Sequence, residues 1–168
     1  MGGGITMVKK YELILNDSIE VLGCKLFRIR ALISFDRVRA GDLGGYIQKE
    51  KNLSHDGTTW IADNAKVYND AEVWGDAQVY GEAEVWDNAE VFGEAEVCDA
   101  VYVCGNAKIS GDAVICDNAE VYGEAKVYGS AKVSDTAKVR NRARVFGEAK
   151  VYGSAKVYND AEVSGTAK

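Results

Sequence analysis

A valine or isoleucine returns every six residues from Ile61 to Val163, 18 times without an insertion or deletion. Residues 121–126, VYGEAK, show the phrase at its clearest. The fifth position is alanine from Ala65 to Ala167, with Val101 the single exception, and the third is always Gly, Asn or Asp. Each regularity has a cause. A β-branched residue at a fixed interval favours extended backbone and points into a narrow core. Gly, Asn and Asp tolerate left-handed backbone, so the third position is a corner. The alanine points inward beside that corner, where a larger side chain does not fit.

Corners every six residues leave short straight strands, and three such strands close a triangle. Stacked coils then pair in parallel at about 4.8 Å per coil. Eighteen phrases predict six coils, a prism of about 29 Å at that spacing. A disordered low-complexity tract conflicts with the strict valine and aromatic content.

Val121 with Ala125 and Val127 with Ala131 carry a known pattern, an aliphatic residue followed four positions later by a small one. On this pattern Ile61 to Lys168 resembles the hexapeptide-repeat, left-handed parallel β-helix superfamily. The resemblance implies the left-handedness, and it implies a homotrimer of parallel prisms. Many members are acyltransferases that use acetyl-CoA, a histidine base at an inter-subunit cleft, and loops that interrupt the coils. This chain departs from that: its one histidine is His55, ahead of the repeats, and no loop breaks them. Another branch, the carbonic anhydrases, needs three histidine ligands, and one chain here supplies one. His55, in SHDG, reads as a turn residue. The expectation is a protein that is not an enzyme and has no cofactor, no metal and no catalytic residue; an acyltransferase-like enzyme is the alternative.

Residues 1–57 do not follow the frame and read as a β-rich cap, with the β-helix over 58–168. YELIL (11–15) and CKLFRIRAL (24–32) look like strands, the second alternating Leu26, Arg28, Arg30 against Phe27, Ile29, Ala31. The other reading of the segment is a docking module for a partner. GDLGG (41–45) lacks the Lys-Ser/Thr of a phosphate loop and reads as a tight turn. The wording RIRAL…GDLGGYI…NLSHDG resembles a group of bacterial and prophage-encoded repeat proteins, a resemblance that implies no activity.

The net charge of −6 disfavours a general affinity for nucleic acid. MGGGITMVKKYELIL has no long apolar run, so neither a leader nor a membrane span is expected. The four cysteines lack CxxC spacing, and a cytoplasmic protein with reduced thiols is the expectation.

Residues 18 apart should stack. One outward column then runs Tyr68, Trp86, Cys104, Tyr122, Arg140, Tyr158, and a second runs Trp74, Phe92, Ser110, Tyr128, Phe146, Ser164. A third runs Ala62, Tyr80, Cys98, Cys116, Ser134, Tyr152. Such ladders stabilise a sheet or mark an interface. Around Val101, the residues Cys98, Tyr102, Cys104, Val114 and Cys116 form an uncharged patch, a packing adjustment or the centre of a contact. Cys98 and Cys116 fall in adjacent coils with side-by-side Cβ vectors, which favours free thiols.

Charge is sorted along the axis. Residues 61–120 carry 14 acidic and 2 basic side chains, while 121–168 carry 5 acidic and 9 basic. The chain stops at the end of a phrase, so the open edge around Val163 and Ala167 is expected to pair end to end. The reading is a structural or protein-interaction module, phage-related, that forms a homo-oligomer, dimer or trimer, through a side face or that edge. The alternatives are a binding protein for an extended glycan or peptide and an acidic DNA mimic.

Overall fold

The chain is all-β in the computed structural model, which describes residues 8–168. Residues 1–7, part of the stretch read above for a leader, lie outside them. From Trp60 onward there are 18 two-residue strands, β4 (Trp60–Ile61) to β21 (Glu162–Val163), one at each junction between phrases. Each but the last three pairs in parallel with the strand 18 residues further on, as Lys66 with Glu84 and Val67 with Val85. Three sheets result, one on each side of the repeating unit. The architecture is a parallel β-solenoid.

The solenoid has about seven coils, one more than the repeat frame predicts. The extra coil begins with β3 (Leu43–Ile47), which pairs in parallel with β5 (Lys66–Val67), and continues through Leu53, bridged to Val73. Tyr46 pairs with Lys66, 20 residues on, rather than with a residue 18 on. Two additional residues before Trp60 therefore hide this coil from a six-residue count.

The interior is built as the phrase implies. The valines and isoleucines from Ile61 to Val145 and the alanines from Ala65 to Ala149 are fully buried, and Val101 is buried in their column. Burying a valine contributes about 1.5–3 kcal/mol, so each coil adds several. The third-position residues all take positive φ, from Asp63 (55°) to Gly165 (68°). At several corners the side chain also bonds to the next coil: Asp63 accepts the Gly81 N–H at 3.0 Å, Asp117 the Asp135 N–H at 3.0 Å, and Asp135 the Gly153 N–H at 2.8 Å. Another corner is glycine throughout, beginning at Gly57, where a Cβ would lie 2.2 Å from the Gly75 carbonyl oxygen.

The N-terminal strands β1 (Tyr11–Val21) and β2 (Cys24–Ala31) form an antiparallel hairpin that extends the sheet beyond β3. The predicted alternation holds on β2. Ile29 and Ala31 join the prism core with Tyr11, Ile47, Leu53 and Ile61. On the other side, Leu26 packs on Tyr46 and Tyr68, and Arg28 stacks 4.3 Å from the Tyr46 ring centroid. The glycine pair of GDLGG is strand interior, not turn. A Cβ at Gly44 would meet the Ile61 carbonyl at 2.5 Å and one at Gly45 the Ala65 carbonyl at 2.4 Å. Only glycine lets β3 approach the coil so closely.

Tyr11 closes this end of the prism. Its hydroxyl donates to the carbonyls of Leu53 at 2.6 Å and Glu50 at 3.1 Å, and its ring stacks on His55 at 4.2 Å. The buried Lys10 ammonium donates to the Thr59 carbonyl at 2.7 Å.

Candidate interaction surface

The six-strand face of β4, β7 (Gln78–Val79), β10 (Glu96–Val97), β13 (Val114–Ile115), β16 (Lys132–Val133) and β19 (Lys150–Val151) is one side of the solenoid. Its outward residues come from the last and second positions of each phrase. The loop of residues 32–42 stands at its N-terminal end. A short bridge between Phe35 and Val38 shapes the loop, and Phe35 meets Trp60 edge-on at 5.5 Å, leaving Trp60 4% exposed. Between this loop and the ridge of Asp76, Glu94 and Glu96 lies a cleft of about 900 Å3, floored by Ala62, Gln78 and Tyr80. Asp36, Arg37 and Asp42 line its other wall. The Tyr80 hydroxyl donates to Glu96 at 3.3 Å, and burial raises its pKa well above the ordinary 10.

The residues singled out from sequence divide between faces. Cys98 is buried, and Val114 and Cys116 are half-buried, all on the β10–β13 part of this face. Tyr102, 44% exposed, and the half-buried Cys104 lie across the Asp99 corner on the adjoining face. The uncharged patch is therefore split by an edge of the prism. All four cysteines are free, and burial pushes the thiols of Cys98 and Cys104 up to about 11.

On that adjoining face the aromatic column is partly covered by the chain itself. Tyr68 is 1% exposed beneath Leu26 and Tyr46, so it is no outward rung. It lies parallel to the half-buried Trp86 at 6.0 Å, and Trp86 meets Tyr102 edge-on at 5.6 Å. Tyr122 is half-buried; Tyr158 is 46% exposed, with Arg140 5.2 Å from its ring centroid. On the third face the ladder is made of internal stacks, Trp74 on Phe92 at 4.3 Å and Tyr128 on Phe146 at 5.0 Å. At the last coil Val163 is half-buried and Ala167 exposed, its carbonyl accepting the Lys150 N–H at 2.9 Å.

His55 is held by bonds that settle its tautomer. Nδ1 accepts the Lys10 N–H at 3.1 Å, which places the ring proton on Nε2. Nε2 is buried with no hydrogen-bond partner, 3.8 Å from Glu50 Oε1, and burial lowers the imidazole pKa. With its proton on Nε2, the ring has its one basic lone pair on Nδ1, and it can take up a proton there only by giving up the bond from the Lys10 N–H.

The cleft was not read from sequence. The acidic column Asp76, Glu94 and Asp112 is visible at spacing 18, but the loop that faces it is positioned by contacts between distant residues, Phe35 with Trp60. Among the described residues no helix is long and apolar enough to cross a membrane. No protein-family model and no curated protein matches the chain, so the functional argument rests on geometry.

Proposed function

We propose that this chain is a non-catalytic structural or protein-interaction module that associates with itself through a side face or the edge of its last coil. The observation that carries the reading is the regularity of the coils. From β5 onward every parallel pairing joins residues 18 apart, so no loop interrupts these coils. The bonding of His55 agrees with this, since its Nδ1 is already engaged and its Nε2 carries the proton. What the repeats do leave open is exposed surface bearing Tyr102, Tyr152 and Tyr158. The chain is proposed to be a left-handed member of the hexapeptide-repeat superfamily, phage-related, working in the cytoplasm with reduced thiols.

The competing acyltransferase reading gives a direct test. Incubation with acetyl-CoA and a panel of amine and hydroxyl acceptors should release no free CoA. Turnover that disappears in His55→Ala would overturn the proposal.

A further inference from the structure

His55 is the single histidine of the chain, and it sits at the closed end of the prism. Its ring lies on Tyr11 at 4.2 Å between centroids, the two planes 11° apart. Its Nδ1 accepts the Lys10 N–H at 3.1 Å. Its Nε2 is buried and has no hydrogen-bond partner among the described residues. Glu50 Oε1 stands 3.8 Å from Nε2 and is already engaged by the Lys9 ammonium at 3.1 Å.

The bond to Lys10 reaches further than the ring. The Lys10 carbonyl accepts the Leu32 N–H at 2.8 Å, and the Lys10 ammonium lies 4.8 Å from the Phe35 ring centroid. Leu32 opens the loop of residues 32–42, and Phe35 seats that loop on Trp60 at 5.5 Å. Asp36, Arg37 and Asp42 of the same loop form one wall of the cleft. Direct contacts therefore run from His55 to Lys10, from Lys10 to Leu32 and Phe35, and from these to the cleft wall.

We propose that His55 is an acid-released latch, which on taking up a proton lets go of Lys10 and loosens the loop that walls the acidic cleft. The added proton goes to Nδ1, because Nε2 already carries one. Nδ1 then becomes a donor facing the Lys10 N–H, with no acceptor between them. Either the ring turns or the strand withdraws, and in both cases the Lys10 N–H loses its partner.

The surrounding charges do not offset this. On the strand side stand Lys9, the buried Lys10 and the neutral Tyr11. Glu50 is engaged by Lys9. Lys51 and Glu72, which line the hollow beside the ring, face each other at 3.7 Å. Asp56 acts on the Lys10 ammonium as well as on the ring. Burial lowers the imidazole pKa from 6.5; Glu50 and Asp56 oppose that shift, while Lys9 and Lys10 add to it. The released ring thus binds a proton more tightly than the held one. The latch holds above pH 6.5 and gives way as pH falls below it.

Native-state hydrogen exchange followed by NMR tests the latch. After correction for intrinsic exchange, the Lys10 and Leu32 amides are expected to lose protection by about tenfold between pH 7 and pH 5. The Tyr122 amide, bonded to the Val139 carbonyl at 3.0 Å within the solenoid, is expected to keep its protection. His55→Asn retains an acceptor at the Nδ1 position and has no titrating ring, so its Lys10 and Leu32 amides should be protected equally at both pH values. Unchanged protection of Lys10 in wild type would overturn the proposal. The same loss in His55→Asn would also overturn it, by moving the cause to the neighbouring carboxylates. A parallel loss at Tyr122 would do so too, since the proton would then act on the whole fold and not on one loop. The imidazole resonances of wild type give a check that needs no variant: a midpoint at or above 6.5 contradicts a ring held neutral by its contacts.

Discussion

Lys132 stands directly beside Lys150 in the adjacent coil of the same sheet. Like charges in register oppose the fold by a few tenths to about 1 kcal/mol. On another face the same offset joins Lys138 to Glu120 at 3.1 Å. Lys150→Glu should therefore raise the denaturation midpoint of the dilute monomer, by a stability of about 0.5 kcal/mol. Chemical denaturation at low protein concentration reads the first effect. An unchanged or lowered midpoint would mean that the lysine pair does not strain the coil.

The corner at Asp117 combines two requirements, φ of 63° and acceptance of the Asp135 N–H. Asp117→Asn keeps both and should be nearly neutral. Asp117→Gly keeps the backbone and loses the bond, a cost of about 1 kcal/mol. Asp117→Ala loses the bond and adds left-handed strain of about 1–2 kcal/mol. Equilibrium unfolding of the three variants should rank them in that order, and equal stability of the glycine and alanine variants would remove the conformational part of the argument.

At the closed end, Lys10 and Tyr11 set opposite pH responses. Burial lowers the Lys10 pKa from 10.5 to about 8. The folded state thus gives up this proton before the unfolded state does, and stability rises between pH 8 and 10.5 by roughly 1–3 kcal/mol. Tyr11 is displaced the other way, upward from 10, by burial and then by Glu50. Folded protein keeps that proton while unfolded chain loses it, so stability falls as pH climbs above 10. Lys10→Met should flatten the rise and Tyr11→Phe should reduce the fall. Urea midpoints measured across this range check both slopes against wild type, since the raised thiols of Cys98 and Cys104 also lower stability above about pH 9, and equal slopes for wild type and Lys10→Met from pH 8 to 10 contradict the assignment for Lys10.

Cys98 and Cys104, with thiols held near 11, should alkylate more slowly at neutral pH than a free thiol, since the thiolate is the reacting form. Mass-spectrometric timing of iodoacetamide labelling reads this residue by residue. Rapid labelling of Cys98 in folded protein would show that the β10–β13 face opens.

Much of the prism is legible because its determinants are local. Val67, Ala71 and Asn69 each state, within one phrase, which way to point and where to turn. What escaped was set by distant residues. Leu26 and Tyr46 cover Tyr68 from more than twenty positions away in sequence, turning an expected outward rung into core. The first coil was missed because two extra residues before Trp60 break the count while Leu53 still reaches Val73. Gly44 and Gly45 read as a turn because a tight turn and a close backbone approach both demand glycine. The corner aspartates were read for backbone tolerance alone, since a bond to the next coil needs the stacking before it can be seen.

Whether the chain associates with itself is decided by its mass in solution. Multi-angle light scattering should be run over a wide range of protein concentration, at low and at high salt. Self-association gives a mass of two or three times 18.2 kDa at high concentration, falling toward that of one chain as protein is diluted. A mass of one chain under every condition would contradict it, and the exposed faces would then have to meet a different molecule.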